Sequence, residues 1–139
     1  MRLLTHNFLI SNVKGTEKGY PLKIEADDVV EEPSPVNPAF IWKILPKLDW
    51  TVVRSASLSI ADKVDPPLDA LPEERPRPPG DYPDELPNDE VEVDPVLKLV
   101  HRILMDVHVI NGNLICPDTS RVFSIKDGIP NMVLHDDEL

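Results

Sequence analysis

One cysteine, Cys116, and four histidines, His6, His101, His108 and His135, are the residues of this 139-residue chain whose types invite chemistry. A cysteine attacks only as thiolate, which needs a positioned base. His101 is expected on the polar side of a helix and His108 within a strand, so neither pairs with an obvious nucleophile. No base–nucleophile spacing for a small hydrolase is legible. Two reversals, Ser11–Gly15 and Cys116–Arg121, have the look of knuckles that hold a structural zinc. Zinc takes four sulfur or nitrogen ligands, and here Cys116 alone is of that type. Ser11 and Thr119 stand where partner cysteines would be expected, so no metal is expected there. The acidic pairs Asp27-Asp28 and Asp136-Asp137 lack the spaced loop with a central glycine that a hard cation needs, and read as solvated surface. No residue is assigned a catalytic role.

Composition narrows the function classes. The net charge is −11 and the pI about 4.6. Autonomous nucleic-acid binding usually rests on a basic face, so any link to RNA is expected to pass through a partner. A single cysteine gives no intramolecular disulfide framework and fits a reducing compartment. No apolar run is long enough to cross a bilayer, and the opening Met1–Asn7 has no signal-peptide core. The expectation is a soluble intracellular protein of one compact domain, or one and a half.

The elements that must position these residues are short. Leu3, Leu4, Phe8, Leu9 and Ile10 are expected to form a buried strand or a turn and strand. Ser11–Gly15 is a polar knuckle in which Gly15 takes positive φ. Pro21–Glu25 alternates like a half-buried strand, Asp27-Asp28 punctuates it, and Val29-Val30 starts another. At the far end, Val107–Ile110 and Leu114–Cys116 flank Asn111-Gly112, the strongest short hairpin signal. Val122–Ile125 is a further strand, Lys126-Asp127-Gly128 a turn, and Ile129–Leu134 a last extended segment.

Between the two ends the period becomes helical. Asn37 caps a helix with Pro38 at its first position. Phe40, Ile41, Ile44, Leu45 and Leu48 form its apolar stripe, and Pro46 should kink or split it. Asp49-Trp50 restarts a second piece with Val53, Ala56 and Leu58 as buried positions. Trp42 and Trp50 read as core or core-edge packing. Residues 62–94 are dense in proline and acid, a semi-extended surface loop in which Pro76-Arg77-Pro78-Pro79 is too weak a match to count as a ligand motif. Asp94-Pro95 caps the most convincing amphipathic helix, with Val96, Leu97, Val100, Ile103, Leu104 and Val107 three and four apart, expected to pack on the Phe40–Leu58 helices. The fold class is α+β: a small antiparallel sheet from both chain ends, residues 1–36 and 106–139, with a helical insertion over 37–105.

Met1-Arg2-Leu3-Leu4-Thr5-His6-Asn7-Phe8-Leu9, together with Cys116–Arg121, Phe123–Ile125 and Gly128–Leu134, resembles the eukaryotic multifunctional methyltransferase-activating subunits. These are small common partners of tRNA, ribosomal-RNA and release-factor methyltransferases. The match covers both ends and, more loosely, the Asn37-Pro38 and Val96–Leu104 helices; the acidic, proline-rich segment is longer than the resemblance leads one to expect and carries no motif of the family. The resemblance implies a zinc-ribbon-like domain from the two ends, a central helical domain and a non-catalytic role. It implies heterodimers with S-adenosylmethionine-dependent methyltransferases in cytoplasm and nucleus, the cofactor being held by the partner. Some members hold zinc with four cysteines; with Cys116 alone of such a set, a metal-free version is expected here.

The residues themselves allow the same role. An extended terminal strand can add to a partner's sheet edge through backbone hydrogen bonds, and Pro130 suits an edge position near its start. Phe8, Ile129, Met132 and Leu134 offer apolar cover. The expected partner-binding set is Asn7, Phe8, Ile129, Pro130, Asn131, Met132, Val133 and Leu134. The rival readings are a zinc-ribbon-like nucleic-acid binder, a general protein-interaction module and a small hydrolase.

Overall fold

A computed structural model describes residues 1–76 and 95–138 of the chain. The cap expected at Asp94 and the Arg77-Pro78-Pro79 run lie outside the described residues, as does most of the acidic loop. The architecture is α+β. Four antiparallel strands, β1 (Lys23–Glu31), β2 (Val107–Ile115), β3 (Val122–Lys126) and β4 (Ile129–Pro130), lie in that order across one sheet.

The helices start and stop where local chemistry says they should. In α2 (Pro38–Ile44), the Asn37 side chain accepts from Phe40 N at 3.1 Å. Pro46 ends that helix as a 3₁₀ turn, Leu45–Lys47, because proline has no N–H to continue the ladder. Asp49 then caps α3 (Trp50–Ile60) by accepting from Val52 N at 3.3 Å. α4 (Pro95–His101) runs into a π-helical turn, Arg102–Asp106, that feeds β2. α3 lies against β1, and α2 against α4.

Three expectations about strands and turns are corrected. Residues 3–8 form a short helix, α1 (Leu3–Phe8), rather than a strand. Its buried face is Leu3, His6 and Asn7, two of the three polar, while Phe8 is exposed, so the apolar spacing of this short stretch carries no helical signal. Asn111-Gly112 is no hairpin turn but the middle of β2, which pairs with β1 from Glu31↔Val107 to Lys23↔Ile115. The punctuation at Asp27-Asp28 is a bulge in one continuous β1 opposite that glycine. A Cβ on Gly112 would lie 2.4 Å from Glu25 O, so the glycine serves close strand approach, not a positive-φ turn.

Leu58, expected in the core, is 62% exposed on α3. The first part of the acidic loop is more than surface cover: Val64, Leu68 and Leu71 are buried in the core, and Trp50 Nε1 donates to Pro72 O at 3.0 Å. Three well-spaced apolar side chains suffice to seat a proline-rich strap that averaged composition reads as polar. That core joins Ile41, Leu45 and Val53 from the helices to Val107, Leu114, Phe123 and Ile125 from the sheet.

Candidate docking surface

The two knuckles face each other. Gly15 has φ +93° and Gly19 φ +65°, and a Cβ on Gly19 would strike Ser11 O at 2.1 Å. The Asp118 carboxylate accepts from Gly19 N at 2.8 Å and Lys18 N at 3.1 Å, tying one knuckle to the other. Cys116, buried at the centre, has Thr16 Oγ1 at 3.6 Å from its Sγ. Burial pushes the thiol up, but hydrogen bonds to the Ser11 and Thr119 hydroxyls, the Thr119 backbone and Thr16 outweigh it and bring it to about 6.

Ser11, Thr16, Cys116 and Thr119 thus form a hydroxyl cage about one sulfur. Thr16 was not legible as a member, because threonine carries no ligand signal. Three neutral hydroxyls around one sulfur do not fit zinc, whose structural sites take four thiolate or imidazole ligands. Among the described residues, no three His, Cys, Asp or Glu side chains converge as a metal would require.

Nor does a hydrolase assemble. His101 is buried, not solvent-facing as expected, with Nε2 at 3.1 Å from Ser34 Oγ and 3.2 Å from both Ser34 O and Asp106 Oδ1. Serine, histidine and aspartate do meet, but Ser34 and Asp106 share one imidazole nitrogen. A relay needs serine on one nitrogen and the orienting carboxylate on the other. The buried His6 has Nε2 on Leu22 O at 2.7 Å and is pushed down by desolvation.

Of the expected partner-binding residues, Asn7 stands apart: it is 4% exposed, and both ends of its amide are bonded to Asp49. Residues 129–134 run along one edge of the sheet, whereas Phe8 stands at the far end of α1. Phe8, Ile129 and Val133 are 54%, 69% and 73% exposed. Pro130, Met132 and Leu134 alternate with them and are half-buried, the last two against the core. After β4 the chain stays close to β3, Asn131 N donating to Ser124 O at 2.9 Å. The Met1 nitrogen donates to Val109 O and Gly128 O, each at 2.7 Å, so the start of α1 is fastened to the β3–β4 turn.

The two edges of this sheet differ. On β1, Lys23, Glu25, Asp27 and Asp28 are exposed and a bulge breaks the ladder, both of which discourage strand addition. Along β4 and the extended segment after it, the exposed apolar side chains are Ile129 and Val133, with no charged residue from Ile129 to Leu134. Among the described residues, one edge is guarded and the other left open.

A family model described as Trm112p-like protein matches residues 2–128. The multifunctional methyltransferase subunit TRM112 homolog A of Arabidopsis thaliana is 40% identical over 139 residues, covering 100% of both chains. The TRM112-like multifunctional methyltransferase subunit of Bos taurus is 40% identical, covering 99% of this chain and 98% of the relative. Its counterpart in Saccharomyces cerevisiae is 28% identical over 96% of each.

Proposed function

Because this chain belongs to the Trm112p-like family, we propose that it docks on methyltransferases through the open β4 edge and keeps them folded and active. It is a methyltransferase subunit that activates its partner and performs no methyl transfer itself. The observation that carries the docking surface is the asymmetry of the sheet: charges and a bulge on β1, bare Ile129 on β4 and bare Val133 just after it.

An incoming strand would complete the ladder beyond β4 with backbone hydrogen bonds, while Ile129, Val133 and Phe8 are removed from water. At roughly 25 cal/mol per Å² of apolar area, three such side chains supply several kcal/mol before the cost of association. A subunit that binds only the folded enzyme stabilises it by mass action. Contacts at that edge also bias the enzyme toward the conformation competent to hold its cofactor.

The partners on this reading are S-adenosylmethionine-dependent methyltransferases acting on tRNA, ribosomal RNA and a translation release factor, each bound as a heterodimer in cytoplasm or nucleus. The partner supplies the cofactor and contacts the RNA, in keeping with the −11 charge of this chain. The cage about Cys116 holds the knuckles without metal. Co-expression tests the reading: a methyltransferase that is insoluble or inactive alone becomes soluble and active with this chain. If it is equally soluble and active without it, the proposal fails.

A further inference from the structure

Ser34 is the only serine or threonine in the chain followed by proline. It lies between Pro33 and Pro35 in an exposed connection with no regular structure, leading from β1 to α2. The residue before a proline is held extended, so Ser34 is presented as an open Ser-Pro strand. Its hydroxyl is nonetheless bound: Oγ donates to Asp106 Oδ1 at 2.6 Å, and Ser34 N donates to the same oxygen at 3.1 Å. His101 Nε2 lies 3.2 Å from Ser34 O, and Glu32 N donates to Asp106 O at 2.8 Å. Both His101 and Asp106 are buried.

These bonds tie together the two crossings between sheet and helices. The chain leaves the sheet through residues 32–37 and returns to it through Asp106-Val107. We infer that Ser34 is a phosphorylation site for a proline-directed serine kinase, and that a phosphate there opens this latch. In the modification the Ser34 Oγ–P bond forms as the bond from the γ-phosphorus of ATP to its bridging oxygen breaks. ADP leaves, and the hydroxyl proton passes to the kinase's base.

The modification replaces a donor with a group carrying roughly −1.5 to −2 charges beside a buried carboxylate. Asp106 then faces a like charge where it had a proton. Arg102 is not free to compensate: its guanidinium is held by Glu31 at 3.0 and 2.8 Å and by Pro66 O at 2.5 Å. His101 alone cannot neutralise both anions, so residues 32–34 leave Asp106.

The test uses the full chain, ATP and a proline-directed kinase, with tandem mass spectrometry to place the phosphate and hydrogen exchange to read the latch. Phosphate is expected on Ser34 and absent from Ser34→Ala. The Ser34 amide is expected to exchange about tenfold faster after modification, as loss of a hydrogen bond to a charged group entails, and the Glu32 amide, bonded to the Asp106 backbone carbonyl, is expected to exchange faster with it. Ser34→Glu, which places a charge there without the kinase, is expected to accelerate the same amides. No phosphate on Ser34 of the folded chain, or unchanged exchange in both the phosphorylated protein and Ser34→Glu, would overturn the inference.

Discussion

Asn7 and Asp49 hold each other by a reciprocal pair of hydrogen bonds, Asn7 Nδ2 to Asp49 O and Asp49 N to Asn7 Oδ1, each 3.0 Å long. The pair fastens the end of α1 to the residue that caps α3, so the first helix and the helical region are set by one amide. Replacing Asn7 by alanine leaves two backbone groups of Asp49 without these partners. The expected cost is about 1–3 kcal/mol of folding stability, read by urea denaturation. Partner capture at a temperature where the variant is folded is expected to be unchanged; a binding defect in fully folded protein would place Asn7 on the interface.

Gly112 gives a second, steeper expectation. Its Cβ position is 2.4 Å from Glu25 O and 3.0 Å from the Ala26 Cα, both backbone and unable to swing aside. Gly112→Ala should separate β1 from β2 at the bulge and destabilise by about 1–3 kcal/mol, as overpacking does. A calorimetric midpoint equal to that of the parent protein would show that the bulge absorbs the methyl group.

Exposed apolar residues on the open edge should behave in the opposite way. Ile129→Asp and Val133→Asp change side chains that are mostly in water, so the isolated chain is expected to keep its stability within about 0.5 kcal/mol. The same variants should lose co-purification with a methyltransferase partner. Retained capture by the double variant would move the interface elsewhere.

The end of the described chain carries a pH dependence. The Arg121 guanidinium beside Glu138, with contacts of 2.5 and 3.1 Å, and the His135 backbone N–H hold that carboxyl down to about 2. Because the folded value lies below the unfolded one, the contribution is whole above about pH 4.5 and is lost as pH falls toward 2. An NMR titration should find the Glu138 carboxyl midpoint near 2 in the parent chain and raised toward the ordinary carboxylate value in Arg121→Gln, where the His135 N–H still lowers it.

The cage about Cys116 predicts chelator-independent folding. The thermal midpoint with EDTA should match that without it, whereas a metal-held knuckle would unfold. Cys116→Ala should lower the midpoint, since it removes a buried sulfur and leaves the Ser11, Thr16 and Thr119 hydroxyls around an empty space.

What the sequence by itself determined is local. The caps at Asn37 and Asp49, the break at Pro46 and the turn at Asp127-Gly128 (φ 51° and 78°) are each dictated within a few residues, by a side chain reaching its own backbone or by a permitted dihedral. The family resemblance was legible for the same reason: its motifs are contiguous runs at the two ends. Tertiary structure decided what depends on residues far apart in the chain. Asn111-Gly112 became strand because β1, more than 80 positions earlier, offered a ladder that outweighs a two-residue turn. His101 went inside because Ser34 and Asp106 meet it there, and Asn7 because Asp49 does. The open edge, too, exists only once the strands are ordered: Ile129 and Val133 are ordinary apolar residues until β3 takes one side of their segment and nothing in the described chain takes the other.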